Sequence, residues 1–259
     1  MAPGLSDLLK TLRNPYLFMY LAMSDIKARY KRSVLGPLWI TLSTAIGVVG
    51  LGFIWSALFH LDKSVYIPTL SIGLILWQFI SGSIIESSTI FVRYAGIIKN
   101  VDLPISLYPA QLLVRQLLIL AHNIPLYFLV ILVLGVPINL NFLWFFPGFL
   151  LVVLNLFWIM LLIGILGARF RDLEYLIGTV MPLLMFFTPV MYRPNALPYS
   201  KVIILLNPLA DMIEIIRYPL LGEPVPGYLF AVNIALFVVG GAVTLFLFNK
   251  KRDRVALWV

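Results

Sequence analysis

Long stretches without Asp, Glu, Lys or Arg recur along the chain, at 33–61, 64–85, 116–168, 175–192 and 224–249. A hydrocarbon core about 30 Å thick takes about 20 helical residues to cross, so each stretch is a candidate membrane span. The stretch 116–168 is too long for one crossing, and Gly135-Val136-Pro137 with Asn139 and Asn141 supplies a turn inside it. The pattern therefore predicts six spanning helices, at about 35–60, 67–90, 106–134, 143–168, 175–192 and 226–248.

Other segments are neither clean spans nor plain loops. Asn14-Pro15 is a helix start, and residues 15–31 mix Phe18, Leu21, Met23, Ile26 and Tyr30 with Ser24, Asp25, Lys27, Arg29 and Lys31. This suits an amphipathic helix lying in the membrane interface, either as a simple lead-in to the first span or with a role of its own. It ends in Arg29-Tyr30-Lys31-Arg32-Ser33, where three cations beside a hydroxyl suit a phosphate as well as a topology signal. Residues 193–225 are mostly apolar but broken by Pro194, Pro198, Pro208 and Pro219, which predicts a pair of short re-entrant or interfacial helices on the outer side. Within it Asn207-Pro208 reads as N-cap and first helical residue, and Asp211, Glu214 and Arg217 recur on one polar face. Such a hairpin lines an exit or caps the bundle. Two cytoplasmic connections, 93–104 and 168–174, are short and of mixed charge; they are docking segments for a partner or solvated turns.

Charge sets the orientation. Fifteen of the nineteen Lys and Arg residues fall on the side holding the N-terminal segment, the second-to-third and fourth-to-fifth connections and the C-terminal tail; Lys63, Arg193, Lys201 and Arg217 fall on the other. The positive-inside rule then puts both termini in the cytoplasm. Composition agrees that the solvent is lipid, since 61% of residues are hydrophobic and 12% are charged, about half the charged fraction of soluble domains. The net charge of +8 sits at span ends, where anionic lipid head groups meet it, and is not read as a nucleic-acid surface. Without cysteine the chain has no disulfide or thiolate chemistry, and its first fourteen residues do not resemble a cleavable signal.

Candidate chemistry is sparse. No glycine precedes a lysine, so no phosphate-binding G-x-x-x-x-G-K-[ST] loop is encoded and any ATP belongs to a partner. His60 and His122 are too few for the usual histidine metal sites, and no metal ligands are assigned. Glu86 is the one carboxylate inside a predicted span, and an ion pair with Arg93 seven residues on is favoured over a transport role. Trp39, Phe53, Trp55 and Phe59 run along the first span; they are belt and packing residues or a track on which sugar rings slide.

The run Arg29-Tyr30-Lys31-Arg32-Ser33-Val34-Leu35-Gly36-Pro37-Leu38-Trp39 resembles the polysaccharide-exporting type-2 ATP-binding-cassette permeases of bacteria. Supporting motifs follow in order: Ile97-Ile98-Lys99 with Leu103-Pro104, Arg169-Phe170-Arg171-Asp172-Leu173, Thr188-Pro189-Val190-Met191-Tyr192, and Asn207-Pro208-Leu209 with Arg217. The resemblance spans nearly the whole chain and is nearer to O-antigen permeases than to capsule or teichoic-acid relatives.

That resemblance implies an all-α membrane protein forming one domain over 1–259: an interfacial segment 1–34, six spans in 35–248 and a cytoplasmic tail 249–259. It implies a homodimer in the bacterial inner membrane, joined to a separate cytoplasmic ATPase that holds ATP and Mg, with no cofactor in this chain. The cargo would be an undecaprenyl-pyrophosphate-linked polysaccharide. Arg29, Tyr30, Lys31, Arg32 and Ser33 would meet the lipid pyrophosphate, and Arg93, Ile97, Ile98, Lys99, Asp102, Arg169, Arg171 and Asp172 would couple to the ATPase. Trp39, Phe53, Trp55, Phe59, Phe186, Phe187 and Tyr192 would line the glycan path, and Asn207, Pro208, Asp211, Glu214 and Arg217 would belong to the outer gate. The competing readings are a membrane-embedded transferase acting on a polyprenyl phosphate and a passive channel.

Overall fold

Two helices precede the first crossing in the computed structural model, which describes residues 3–194 and 206–259. Helix α1, Pro3–Arg13, is an addition to the sequence reading. Helix α2, Pro15–Tyr30, forms where the interface helix was expected, begun by a proline at a position whose amide would go unused anyway. Tyr16, Met19, Tyr20 and Met23 stay exposed on it.

Five of the described helices are long and apolar enough to cross a membrane. They are α3 (Leu38–Leu58), α4 (Lys63–Ser87), α7 (Leu107–Leu134), α8 (Phe145–Arg169, led in by a 3-10 turn at Leu140–Trp144) and α11 (Gly227–Trp258). Two short helices, α5 (Ile90–Arg93) and α6 (Ala95–Asn100), fill the connection between α4 and α7. Asp62 accepts from the Ser64 amide at 2.9 Å to cap α4, and Gly135 at φ 69 lets the chain turn out of α7. Among the described residues there is no strand.

The expected fifth span takes a different form. Helix α9, Asp172–Phe187, has 16 residues. At 1.5 Å per residue it rises about 24 Å, short of the hydrocarbon thickness. Asp172 and Glu174 favour its start at the positive end of the helix dipole, and it stops at Thr188, which is extended at ψ 139. The cause is local, because Pro189 disfavours helical geometry in the residue before it. The first arm of the expected outer hairpin falls on 195–205, outside the described residues; the second is α10, Pro208–Leu220, capped by Asn207, whose side chain accepts from the Leu209 amide at 3.0 Å. Helix α11 also departs from expectation, running on to Trp258 where a span end near 248 and a plain tail were read.

The core centres on α4. Helices α3, α7, α8, α9 and α10 all pack against it, and Ile72, Leu76, Phe79 and Ile80 meet Leu112, Leu156, Met160 and Ile213 in one apolar cluster. Helix α4 is the most buried of the five long helices and the least hydrophobic of them, and the polar atoms of Ser71, Ser83 and Gln78 find their partners within the protein. Helices α8 and α11 pair closely, with Gly240 admitting the Trp158 ring. Asn155 tightens the contact by donating to the Asn233 carbonyl at 3.0 Å and accepting from the Trp158 indole at 2.9 Å. Helices α3 and α9 leave broad apolar faces uncovered: Trp39, Ile46, Phe53 and Leu58 on one, Tyr175, Leu183, Phe186 and Phe187 on the other.

Candidate functional site

At the end of the bundle holding both termini, α2 presents Asp25 and Arg29 one turn apart. Glu86 closes α4, Arg93 closes α5, and α7 carries Gln111, Arg115 and Gln116. These side chains form one network. Glu86 accepts from Arg115, from Arg93 at 3.2 Å and from Gln116 at 3.1 Å, with Arg29 at 3.9 Å. Asp25 accepts from the Tyr94 hydroxyl at 2.6 Å and from Gln111 at 2.8 Å, and faces Arg115 at 3.6 Å. Arg115 is buried and bridges both carboxylates, whereas Arg29 and Arg93 are about half exposed. Burial and the hydrogen bond to Asp25 push the Tyr94 hydroxyl up to about 12, so it remains a donor at physiological pH.

The expected pairing of Glu86 with Arg93 is thus present as one edge of a larger cluster. Sequence reasoning passed over Asp25, Gln111 and Arg115. The available signal was the placement of Gln111, Arg115 and Gln116 inside an otherwise apolar helix, where polar groups need partners. Because guanidinium groups engage both acids, the cluster does not offer the free carboxylate pair that general acid–base transferase chemistry needs.

Of the basic run, Arg29 joins the network, Lys31 and Arg32 are exposed, and Tyr30 and Ser33 are half-buried. The Ser33 hydroxyl accepts from the Gly36 amide at 3.0 Å, shaping the turn into α3 with Gly36 at φ 54, a conformation that favours glycine.

Helix α6 holds the first group of residues expected to couple to a partner. Ile97 and Lys99 are exposed, Ile98 is buried, and Asp102 just beyond is exposed. Lys99 and Asp102 line a cleft of about 450 Å³ whose opposite wall is Arg252, Asp253 and Ala256 of α11. The second segment reaches the same helix: Arg171 donates to the Trp258 carbonyl at 3.1 Å and Arg169 lies 5.7 Å from the Trp258 ring, while Asp172 starts α9 exposed. The C-terminal turns of α11 therefore lie against both of the short cytoplasmic connections.

A second unforeseen carboxylate fixes this arrangement. Asp7 of α1 is fully buried and accepts from the Ile105 and Ser106 amides at 2.9 Å each, from the Ser106 hydroxyl at 2.6 Å and from Arg252 at 2.6 Å. It caps α7 from another helix, since Ser106 supplies no cap of its own. Helix α6 is thereby tethered on both sides: Tyr94 before it to α2, Ile105 and Ser106 after it to α1.

At the other end, Asp211, Glu214 and Arg217, which their spacing puts on one polar face, do not meet solvent. All three are buried, because α10 is packed among neighbouring helices from Leu209 to Arg217. Arg217 pairs with Glu214 at 2.6 Å and donates to the Val190 carbonyl at 3.0 Å and the Tyr192 carbonyl at 3.3 Å. It thus satisfies backbone groups that the end of α9 leaves open, and irregular backbone at depth persists only when such partners exist. Gly73 of α4 permits the approach, since a Cβ there would fall on the Val190 carbonyl oxygen. Asn207 donates to the Thr188 hydroxyl at 2.9 Å, and Arg193 pairs with Glu223 above the Tyr218 ring.

The aromatics are divided between two helices. Trp39, Phe53 and Phe59 are exposed on or just after α3, with Trp55 edge-on to Phe59 at 5.6 Å. Phe186 and Phe187 are exposed at the end of α9, and the half-buried Tyr192 donates to the Phe186 carbonyl at 3.4 Å. Both helices pack on α4. Among the described residues no group of three or more His, Cys, Asp or Glu could hold a metal ion.

Residues 16–221 match the family described as ABC-2 type transporter. Two Klebsiella pneumoniae proteins named O-antigen export system permease protein RfbA are each 30% identical to the chain over 250 residues, covering 93% of it and 95% of the relative. A Myxococcus xanthus protein of the same name is 25% identical over 204 residues, covering 76% and 77%.

Proposed function

The chain belongs to the ABC-2 type transporter family, and from that premise we propose that it is the transmembrane subunit of an ATP-driven exporter moving a lipid-linked polysaccharide of the O-antigen type to the outer face of the bacterial inner membrane. The observation that carries the reading is the relation to O-antigen export permeases along 93% of the chain. The geometry supplies a mechanism.

Both termini lie in the cytoplasm. Two copies associate through the uncovered faces of α3 and α9, and a cytoplasmic ATPase, which binds ATP and Mg, docks on α6 and on Arg169, Arg171 and Asp172. The fifth crossing is made by α9, beyond which the chain continues through residues 188–192 as turns and bends held by Arg217. An undecaprenyl pyrophosphate carrier loads at the basic turn. Each basic residue near an anionic headgroup contributes about 1 kcal/mol, so Arg29, Lys31 and Arg32 hold it firmly enough to load and weakly enough to release. ATPase closure pushes α6; the Tyr94 bond to Asp25 carries the displacement to α2 and the Ile105 and Ser106 bonds to Asp7 carry it to α1. The glycan then advances past Trp39, Phe53, Trp55, Phe59, Phe186, Phe187 and Tyr192, whose rings stack on sugar faces without fixing them. Helix α10 with Asn207, Pro208, Asp211, Glu214 and Arg217 forms the outer gate.

The test replaces Lys31 and Arg32 together by Gln in cells that depend on this chain for export. Surface polysaccharide is expected to disappear while co-purification with the ATPase persists. Unchanged surface polysaccharide overturns the loading role, and loss of co-purification assigns the turn to assembly.

A further inference from the structure

Glu86 is the carboxylate at the centre of the cluster that joins α2, α4, α5 and α7. It sits among three guanidinium groups, and the three differ in a way that separates scaffold from site. Arg115, with 6% of its side chain exposed, lies behind the carboxylate and also meets Asp25. Arg29 and Arg93 lie in front, with 48% and 41% of their side chains exposed. Their hold on Glu86 is loose: Arg93 makes one hydrogen bond at 3.2 Å, and Arg29 at 3.9 Å is beyond hydrogen-bond distance. A guanidinium carries five donors in a planar fork, so both groups keep most of their donors free toward the open side.

We propose that Glu86 is an internal stand-in for phosphate, and that the pyrophosphate headgroup of a lipid carrier displaces it from Arg29 and Arg93 during loading. The inference rests on the reading that this chain handles such a carrier. A pyrophosphate has more charge and more acceptor oxygens than a carboxylate and matches guanidinium forks in pairs. Glu86 does not become an uncompensated charge when its outer partners leave, because Arg115 and Gln116 still hold it. The three cations Arg29, Arg93 and Arg115 exceed the two carboxylates Asp25 and Glu86 by one charge, so the cluster attracts an anion even before exchange. Arg93 also ends α5 and directly precedes Tyr94 and α6. Exchange of its partner therefore shifts the residue next to the docking helix, and a loaded subunit differs from an empty one at the ATPase contact.

The experiment measures binding of undecaprenyl pyrophosphate to the permease in complex with its ATPase, in phosphatidylcholine nanodiscs. Wild type is compared with Arg29→Gln, Arg93→Gln and Glu86→Gln. Each arginine variant is expected to bind about fivefold more weakly and Glu86→Gln about fivefold more tightly, the factor that one basic residue near an anionic headgroup contributes. The arginine variants change half-exposed side chains and carry the test if Glu86→Gln fails to assemble. Inorganic pyrophosphate showing the same ranking supports recognition of the headgroup. A ranking confined to discs containing phosphatidylglycerol overturns it in favour of a general anionic-lipid patch. Equal binding by all four proteins, or weaker binding by Glu86→Gln, overturns the exchange while leaving loading at Lys31 and Arg32 intact. Failure of wild type to bind the pyrophosphate lipid overturns both.

Discussion

Replacing Arg217 with Met tests whether a buried ion pair holds the outer end of the bundle together. The substitution roughly preserves volume but leaves Glu214, 1% exposed, without its counter-ion and removes the donors to the Val190 and Tyr192 carbonyls. Breaking a buried pair from one side costs about 3–5 kcal/mol, and each orphaned carbonyl about 1–3 kcal/mol. Even allowing for overlap between these effects, a loss of about 5 kcal/mol is expected, comparable with the total stability of many proteins. At about 2–4 °C per kcal/mol for a chain of this size, thermal unfolding in detergent should fall by about 10 °C or more. Adding Glu214→Gln removes the stranded charge but not the orphaned carbonyls, so the double variant should recover part of the loss and stay below wild type. The reasoning fails if Arg217→Met unfolds within about 2 °C of wild type, or if the double variant is no more stable than the single one.

Three further outcomes are expected. Tyr94→Phe keeps the ring packing on Tyr108 but deletes the hydrogen bond to Asp25, which as a bond to a charged group is worth about 1.5–3 kcal/mol; export per ATP hydrolysed should fall while ATPase co-purification is unchanged. Asp7→Asn weakens bonds to Ile105, Ser106 and Arg252 together, so hydrogen exchange across residues 101–106 and the last turns of α11 should quicken by about tenfold or more, against no change in α8. Gly73→Ala forces a methyl against the Val190 carbonyl and should cost about 1–3 kcal/mol, seen as a lower unfolding temperature, whereas Gly47→Ala, where a Cβ meets nothing, should not.

The charge-free stretches located the long helices because a span has to be apolar over its whole length, whatever it packs against. The early end of α9 was also within reach, since Pro189 directly follows Thr188, but the uninterrupted apolar run to Tyr192 masked it. What escaped were the polar tethers. Asp7 acts on residues 98 and 99 positions away and on Arg252 at a separation of 245, and no local period encodes such partners. The spacing of Asp211, Glu214 and Arg217 placed them on one polar face, but spacing does not say whether charges face water or each other. Arg29 stood out as part of a basic run, yet its relation to Glu86 and Arg93 needed three helices brought together.

The central claim is most directly tested by reconstituting the chain with its ATPase in sealed proteoliposomes and supplying an undecaprenyl-pyrophosphate-linked polysaccharide to the face that carries the ATPase. Appearance of the glycan on the opposite face only when ATP is hydrolysed is the predicted result. Movement without ATP, or hydrolysis without any movement of the polysaccharide, would contradict the account.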